Sequence, residues 1–221
     1  IMKNTVAIIP ARAGSKSIPN KNLSKVGNVS LLDRAIKLAI DSEISKIFVS
    51  TDSSEIASVA RRAGAEIVLR PKELSTDTAS TESAVVHALN YISFDEETSV
   101  ALIQATSPFT MPNDLKNAME FTSAGISFFS AVHFHSFLWE KILNNWVPIN
   151  HKKDLRIMKE AMNPTVVETG NFYCFNACDF SIEKNRFCKE SMPYLINPIS
   201  YFQIDSLEDL EIANKINQIF I

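Results

Sequence analysis

Glycine is scarce in this chain, five residues in 221, and none stands in a GxxxxGK(S/T) or GxGxxG pattern. That excludes both the P-loop and the dinucleotide fingerprint. Cysteine is scarcer still: Cys174, Cys178 and Cys188 form no CxxC pair and are odd in number. A disulfide framework is set aside, and reduced thiols in a cytoplasmic protein are expected. His133, His135 and His151 have no carboxylate or cysteine at ligand spacing, which argues against zinc. No apolar run approaches the ~20 residues that span a bilayer, and no basic segment followed by an apolar one opens the chain, so no membrane partner is expected. A surplus of positive charge is missing too. The 22 Lys and Arg stand against 25 Asp and Glu, a net charge of −3, which argues against a nucleic-acid partner. Any cation that matters must act locally.

What is present is a rhythm. The apolar fraction of 46% suits one globular domain, read here as residues 2–221. TVAIIP (Thr5–Pro10) is a continuous apolar run, as in a strand covered on both faces. Ser30 precedes the helix-spaced set Leu31, Leu32, Ala35, Ile36, Leu38 and Ala39, with Asp33 three residues after the cap. KIFVST, EIVLR, SVALIQAT and ISFFSAVHF read as further strands, separated by helical patterns that include Glu55–Gly64, Glu82–Tyr91 and one capped by Asn113. The alternation predicts an α/β fold: a mostly parallel, Rossmann-like sheet with helices on both faces. VVETGNFYCFN and YFQID are read as its late strands, and Leu207–Phe220 as the last helix. Residues 135–165 break the rhythm. FLWEKILNNWVPIN holds both tryptophans and reads as an inserted, exposed hairpin with a partner surface.

Charge gathers at ARAGSKSIPNKN, directly after the first strand, where Arg12, Lys16 and Lys21 surround Gly14. A strand followed by such a loop suits an anion, and Gly14 allows close backbone approach. A solvated surface loop fits equally well. Other candidates stand at strand ends or in loops: Arg70, Gln104, the Glu168-Thr169-Gly170 run and Asp205. Singly, Arg70 reads as a surface ion pair, Gln104 as a turn residue and Gly170 as a bulge. Together they converge on the sheet edge where open α/β sheets bind ligands.

The segments IPARAGSKSIPNKN, TDSSEIASVARRAGAEIVLRP, ELSTDTAST, QATSP, ETGNFY and IDSLEDLEIA occur in order. In that order the chain resembles the acylneuraminate cytidylyltransferase family, the CMP-sialic acid synthetases, over nearly everything except about 135–165. It is less similar to the CMP-octulosonate synthetases, whose loop runs closer to SxRLPGKPL. The resemblance implies that Arg12, Ala13, Gly14, Ser15, Lys16 and Lys21 hold the CTP triphosphate. Asn22 and Arg70 would contact base and sugar of the nucleotide, and Ala79 and Thr81 the cytosine edge. Gln104, Thr169 and Gly170 would bind the acyl-sugar acid, and Lys141 would reach the sugar site of a second subunit. It further implies a homodimer joined through 135–165, and Mg2+ (or Mn2+) held by Asp205.

Two departures touch this pattern. Where family members often carry Asp-x-Asp, the chain has Gln203-Ile204-Asp205, and a glutamine cannot supply a second carboxylate to a hard cation. The tripeptide ETG also stands where the family has an ENG-like or PNG-like one. Asp209 follows Ser206 at capping-box spacing, so a structural role is favoured for it. Ser80 and Thr81 suit a helix cap as well as a base contact. The activity implied is transfer of CMP from CTP to the anomeric hydroxyl of a sialic acid, catalysed by Arg12, Lys21 and Asp205, with release of pyrophosphate. The same reaction on pseudaminate or legionaminate, and a nucleotide-binding regulator without turnover, are the alternatives.

Overall fold

The computed structural model describes residues 4–15, 17–155, 157, 158, 161 and 163–220; the candidate cation Lys16 lies outside the described residues. Strand β1 (Thr5–Pro10) is the expected continuous apolar run, and Val6, Ala7, Ile8 and Ile9 are all buried. A short hairpin, β2 (Lys25–Val26) and β3 (Val29–Ser30), leads into helix α1 (Leu31–Asp41). Strands β4 (Lys46–Thr51), β5 (Glu66–Leu69) and β6 (Ser99–Ile103) join β1 in parallel, with α2 (Ser54–Arg62) and α3 (Thr81–Tyr91) as crossovers. Helix α4 (Pro112–Phe121) follows, then β7 (Ile126–His133). The hairpin strands β8 (Trp139–Ile142) and β9 (Asn145–Pro148) stand apart from the main sheet. The long strand β10 (Val166–Asn176), α5 (Ala177–Glu183), β11 (Glu190–Leu195) and α6 (Leu207–Phe220) complete the order.

The main sheet runs β11-β7-β10-β6-β1-β4-β5. It is mostly parallel, with β10 alone reversed against both neighbours. Alternation along β1 feeds two cores. Ala7 and Ile9 pack with α1, α2, α4 and α6 through Leu32, Ile56, Leu115 and Ala213. Val6 and Ile8 pack on the opposite face with α3 and α5 through Val85, Leu89 and Phe180. A strand of period two serving two helical layers is why its sequence is apolar throughout.

Local signals account for most helix starts. Ser30 caps α1 by accepting from the Asp33 N–H at 3.0 Å, an interaction of about 1 kcal/mol. Helix α4 begins two residues earlier than the Asn113 cap predicts: Met111 is the cap and Pro112 takes the first turn. Proline's fixed φ and missing N–H suit that position and outweigh asparagine's preference. YFQID is not a strand. Asn197 accepts from the Ile199 N–H, Pro198–Tyr201 form a single 3-10 turn, and residues 202–205 run irregularly. The edge position goes instead to β11, whose ESMPYL sequence hides it because Pro193 is tolerated only on such an edge. Among the described residues no helix is long and apolar enough to cross a membrane.

Candidate active site

Two cavities open on the sheet edge and meet at one ion pair. The first, about 240 Å³, is lined by Arg12, Gly14, Ser15, Lys21, Asn22, Arg70, Ala79 and Thr81 from the predicted set, with Pro10, Ser80 and Thr106 added. Its floor is the loop leaving β1. The Asn22 side chain donates to the Arg12 carbonyl at 3.1 Å and pins the loop's two ends together. Ala13, expected at the ligand, does not line the cavity; its N–H donates to Asp52 Oδ1 at 2.9 Å and fixes the loop from outside. Ser80 caps α3 by accepting from the Ser83 N–H, and it lines the cavity as well. The positive end of the α3 dipole therefore borders this space.

Three described cations share it. Arg12 pairs with Asp77 at 2.6 Å, both side chains partly exposed. Arg70 is no surface ion pair: it is buried, and its Nη2 and Nε donate to Ser50 O and Oγ at 2.7 and 3.2 Å. Burial lowers its pKa, the charge of Asp52 opposes that, and Arg12 adds to it; a guanidinium nevertheless stays charged. Lys21 is only 12% exposed and donates to the Ile204 carbonyl and to Asp205 Oδ1, each at 3.0 Å.

The second cavity is larger, about 590 Å³, and is lined by Gln104, Thr169, Gly170 and Asp205 from the predicted set, with Glu168, Tyr173, Tyr201, Phe202 and Gln203. Its wall is a bulge in β10, where the register against β7 shifts between Glu168 and Tyr173. Gly170 has φ +71°, so the bulge reading holds and the residue also faces the cavity. A Cβ there would lie 2.8 Å from Gln203 Nε2. Gln203 donates that amide to the Thr169 carbonyl, which ties the irregular 202–205 segment to the bulge. Gln203 thus holds the wall.

Asp205 does not close a strand; it sits in that irregular segment with its side chain 74% exposed and one oxygen on Lys21. Asp209 is committed to a capping box. Its Oδ2 accepts from the Asp205 and Ser206 N–H groups at 2.9 and 2.8 Å, and its own N–H donates to Ser206 Oγ at 3.1 Å. The hydrogen bond from Asp205, then those involving Ser206, lower its pKa. Among the described residues no three His, Cys, Asp or Glu cluster as a metal site. Lys141 lies on exposed β8 and lines neither cavity. Sequence reading missed Tyr173, Tyr201 and Phe202; a glycine three residues before Tyr173 is its one local signal.

Comparison with known proteins identifies the family and the fold. A family model described as cytidylyltransferase matches residues 6–218. An N-acylneuraminate cytidylyltransferase of Escherichia coli is 32% identical over 96% of this chain and 52% of its own length. A CMP-N,N'-diacetyllegionaminic acid synthase of Legionella pneumophila is 32% identical over 97% of this chain and 96% of its own length. The chain spans about half the length of the E. coli relative. Among solved structures, a CMP:2-keto-3-deoxy-manno-octonic acid synthetase complexed with CTP shares the fold at TM-score 0.72 and 15% identity, covering 98% of this chain and 99% of that one. A 4-diphosphocytidyl-2C-methyl-D-erythritol synthase from Anaerococcus prevotii does so at TM-score 0.71 and 14% identity, covering 98% and 96%. The chain belongs to the cytidylyltransferase family, together with the acylneuraminate cytidylyltransferases.

Proposed function

We propose that the protein transfers CMP from CTP to the anomeric hydroxyl of a nine-carbon keto-acid sugar of the acylneuraminate type, releasing pyrophosphate. The observation that carries this reading is the Lys21–Asp205 pair standing between a cation-lined cavity and an aromatic one. CTP occupies the first cavity, its triphosphate on Arg12, Lys21 and the glycine loop. Exchanging Asp77 for a polyphosphate costs Arg12 little, since an exposed pair is worth about 0–1 kcal/mol. The sugar acid occupies the second. Its anomeric oxygen attacks the α-phosphorus in line, the bond to the β-phosphate oxygen breaks, and Asp205 takes the hydroxyl proton. Lys21 neutralises charge moving to the leaving pyrophosphate.

Mg2+ suits this donor set, because it is commonly held by one carboxylate plus substrate phosphates. Asp205 would hold it alone, with Gln203 engaged on Thr169. When bound it supplies further neutralisation of phosphate charge. A second reading is favoured by the Legionella relative, which this chain covers almost end to end: the acceptor is a legionaminate-type sugar and the chemistry is the same. Pyrophosphate release from CTP with sialic, legionaminic and pseudaminic acids, with Mg2+ and after EDTA, distinguishes the acceptors. No release with any acid would overturn the reaction and favour a regulator.

Association of two copies through the hairpin is part of the same reading. Ile142, Leu143, Trp146 and Ile149 are half or more exposed there, beside Lys141. A two-fold contact would bury that patch on both copies. Lys141→Ala should then raise the Michaelis constant for the sugar above that for CTP, and mixing it with Lys21→Ala chains should restore part of the activity. A monomer at working concentration, or no restoration, would contradict it.

A further inference from the structure

Glu168 and Tyr173 line the acceptor cavity, and the charge handling described above uses neither. The Tyr173 hydroxyl donates to Glu168 Oε1. Among the described residues this is the one side-chain hydrogen bond Glu168 makes, and its exposed side chain lines the cavity. The ring that carries the hydroxyl is clamped. The Arg186 guanidinium carbon lies 4.6 Å from its centroid, and Phe187 meets it edge-on at 5.6 Å. Arg186 is held in turn by Glu82, 2.6 Å from its Nε, in the first turn of α3. Burial, then the hydrogen bond and charge of Glu168, push the Tyr173 phenol up to about 12, so it remains a donor.

We propose that Glu168 determines which sugar acid the cavity accepts, its free oxygen taking a hydrogen bond from a hydroxyl or acylamino N–H on the acceptor, with Tyr173 as the positioning residue. The inference rests on the acceptor reading given above. In a 2-keto acid sugar the carboxylate and the anomeric hydroxyl share one carbon, so both belong at the nucleotide junction. A fixed carboxylate on the bulge repels that end and takes donors from the rest of the molecule. Glu168 is exposed in the free protein, so an acid that covers it without offering a donor takes a charged oxygen out of water and leaves it unpaired, and discrimination by polar sites arises in that way.

The test compares intact protein and variants on a sugar acid and its deoxy and N-methyl analogues, with turnover and sugar binding both measured. Glu168→Gln should raise the Michaelis constant for the sugar about tenfold, against less than twofold for CTP, as expected for one hydrogen bond to a charged group. Tyr173→Phe keeps the ring and should raise it by about threefold, and the double variant should be no worse than Glu168→Gln alone, because the two act as one unit. The unmodified protein should lose about tenfold on the analogue lacking the critical donor, a measurement that needs no variant to fold. Unchanged sugar constants in Glu168→Gln, equal use of all analogues, or additive effects would overturn the assignment of Glu168. Absence of turnover and binding with every keto-acid sugar would instead overturn the acceptor reading on which it rests.

Discussion

The first cavity holds Arg12, Lys21 and Arg70, while the second holds Tyr173, Tyr201, Phe202 and the carboxylates of Glu168 and Asp205. The contrast follows from where each is built. The cationic cavity grows from the loop after β1 and the N-terminus of α3, in the parallel half of the sheet, where backbone N–H groups and a helix dipole already favour an anion. The aromatic cavity grows from the reversed strand β10 and a segment that abandons strand structure after Pro198. On the proposed reading the first takes the polyphosphate by charge, and the second takes the sugar acid by shape and hydrogen-bond donors.

The largest expected effect breaks the cationic side. Lys21→Ala should lower turnover by 10²–10³, about 2.7–4 kcal/mol of transition-state stabilisation, with unfolding temperature nearly kept. Lys21→Arg should recover part of it, and near-normal pyrophosphate release in the alanine variant would reduce the loop to a solvated surface.

Next comes the brace between the two regions. Glu82→Gln should cost about 1.5–3 kcal/mol of stability, since Arg186 then keeps its burial without its partner. Burial raises the Glu82 pKa, but the hydrogen bond and charge of Arg186 outweigh it and the net direction is down. A depressed carboxyl contributes fully above its unfolded value, about 4.3, and loses that contribution as pH falls through the folded value. Denaturant melts at pH 7 and in acid should therefore show the two proteins converging below that range. A constant difference would contradict it.

A smaller effect separates the two carboxylates beside the junction. Asp209→Ala should destabilise α6 by about 0.5–2 kcal/mol and leave Mg2+ dependence alone, whereas Asp205→Asn should weaken Mg2+ dependence and activity together. The reverse pattern in metal titrations would exchange their roles.

These regions also differ in how far sequence reaches them. Arg12, Gly14, Ser15, Lys21 and Asn22 lie close in sequence, so one strand-loop pattern brought them together in advance. The caps Ser30 and Ser206 were legible for the same reason, because a cap is settled within four residues. The aromatic cavity is a tertiary product. Tyr173 reaches it because a bulge shifts the register of β10, and Tyr201 and Phe202 reach it because Asn197 and Pro198 start a turn where alternation suggested a strand. β11 escaped notice because Pro193 reads as a strand breaker until its edge position is known. Glu168 was named only as part of a tripeptide; its pairing with Tyr173 spans the bulge and leaves no periodic trace.

The central claim is that the two cavities exchange one group across Lys21 and Asp205. The most direct measurement follows pyrophosphate and the nucleotide–sugar product together, from CTP with and without a nine-carbon keto-acid sugar. Equal amounts of pyrophosphate and CMP-sugar, both absent when the sugar is withheld, are expected. Pyrophosphate without the sugar, or no CMP-sugar from any such acid, would contradict transfer between the two sites.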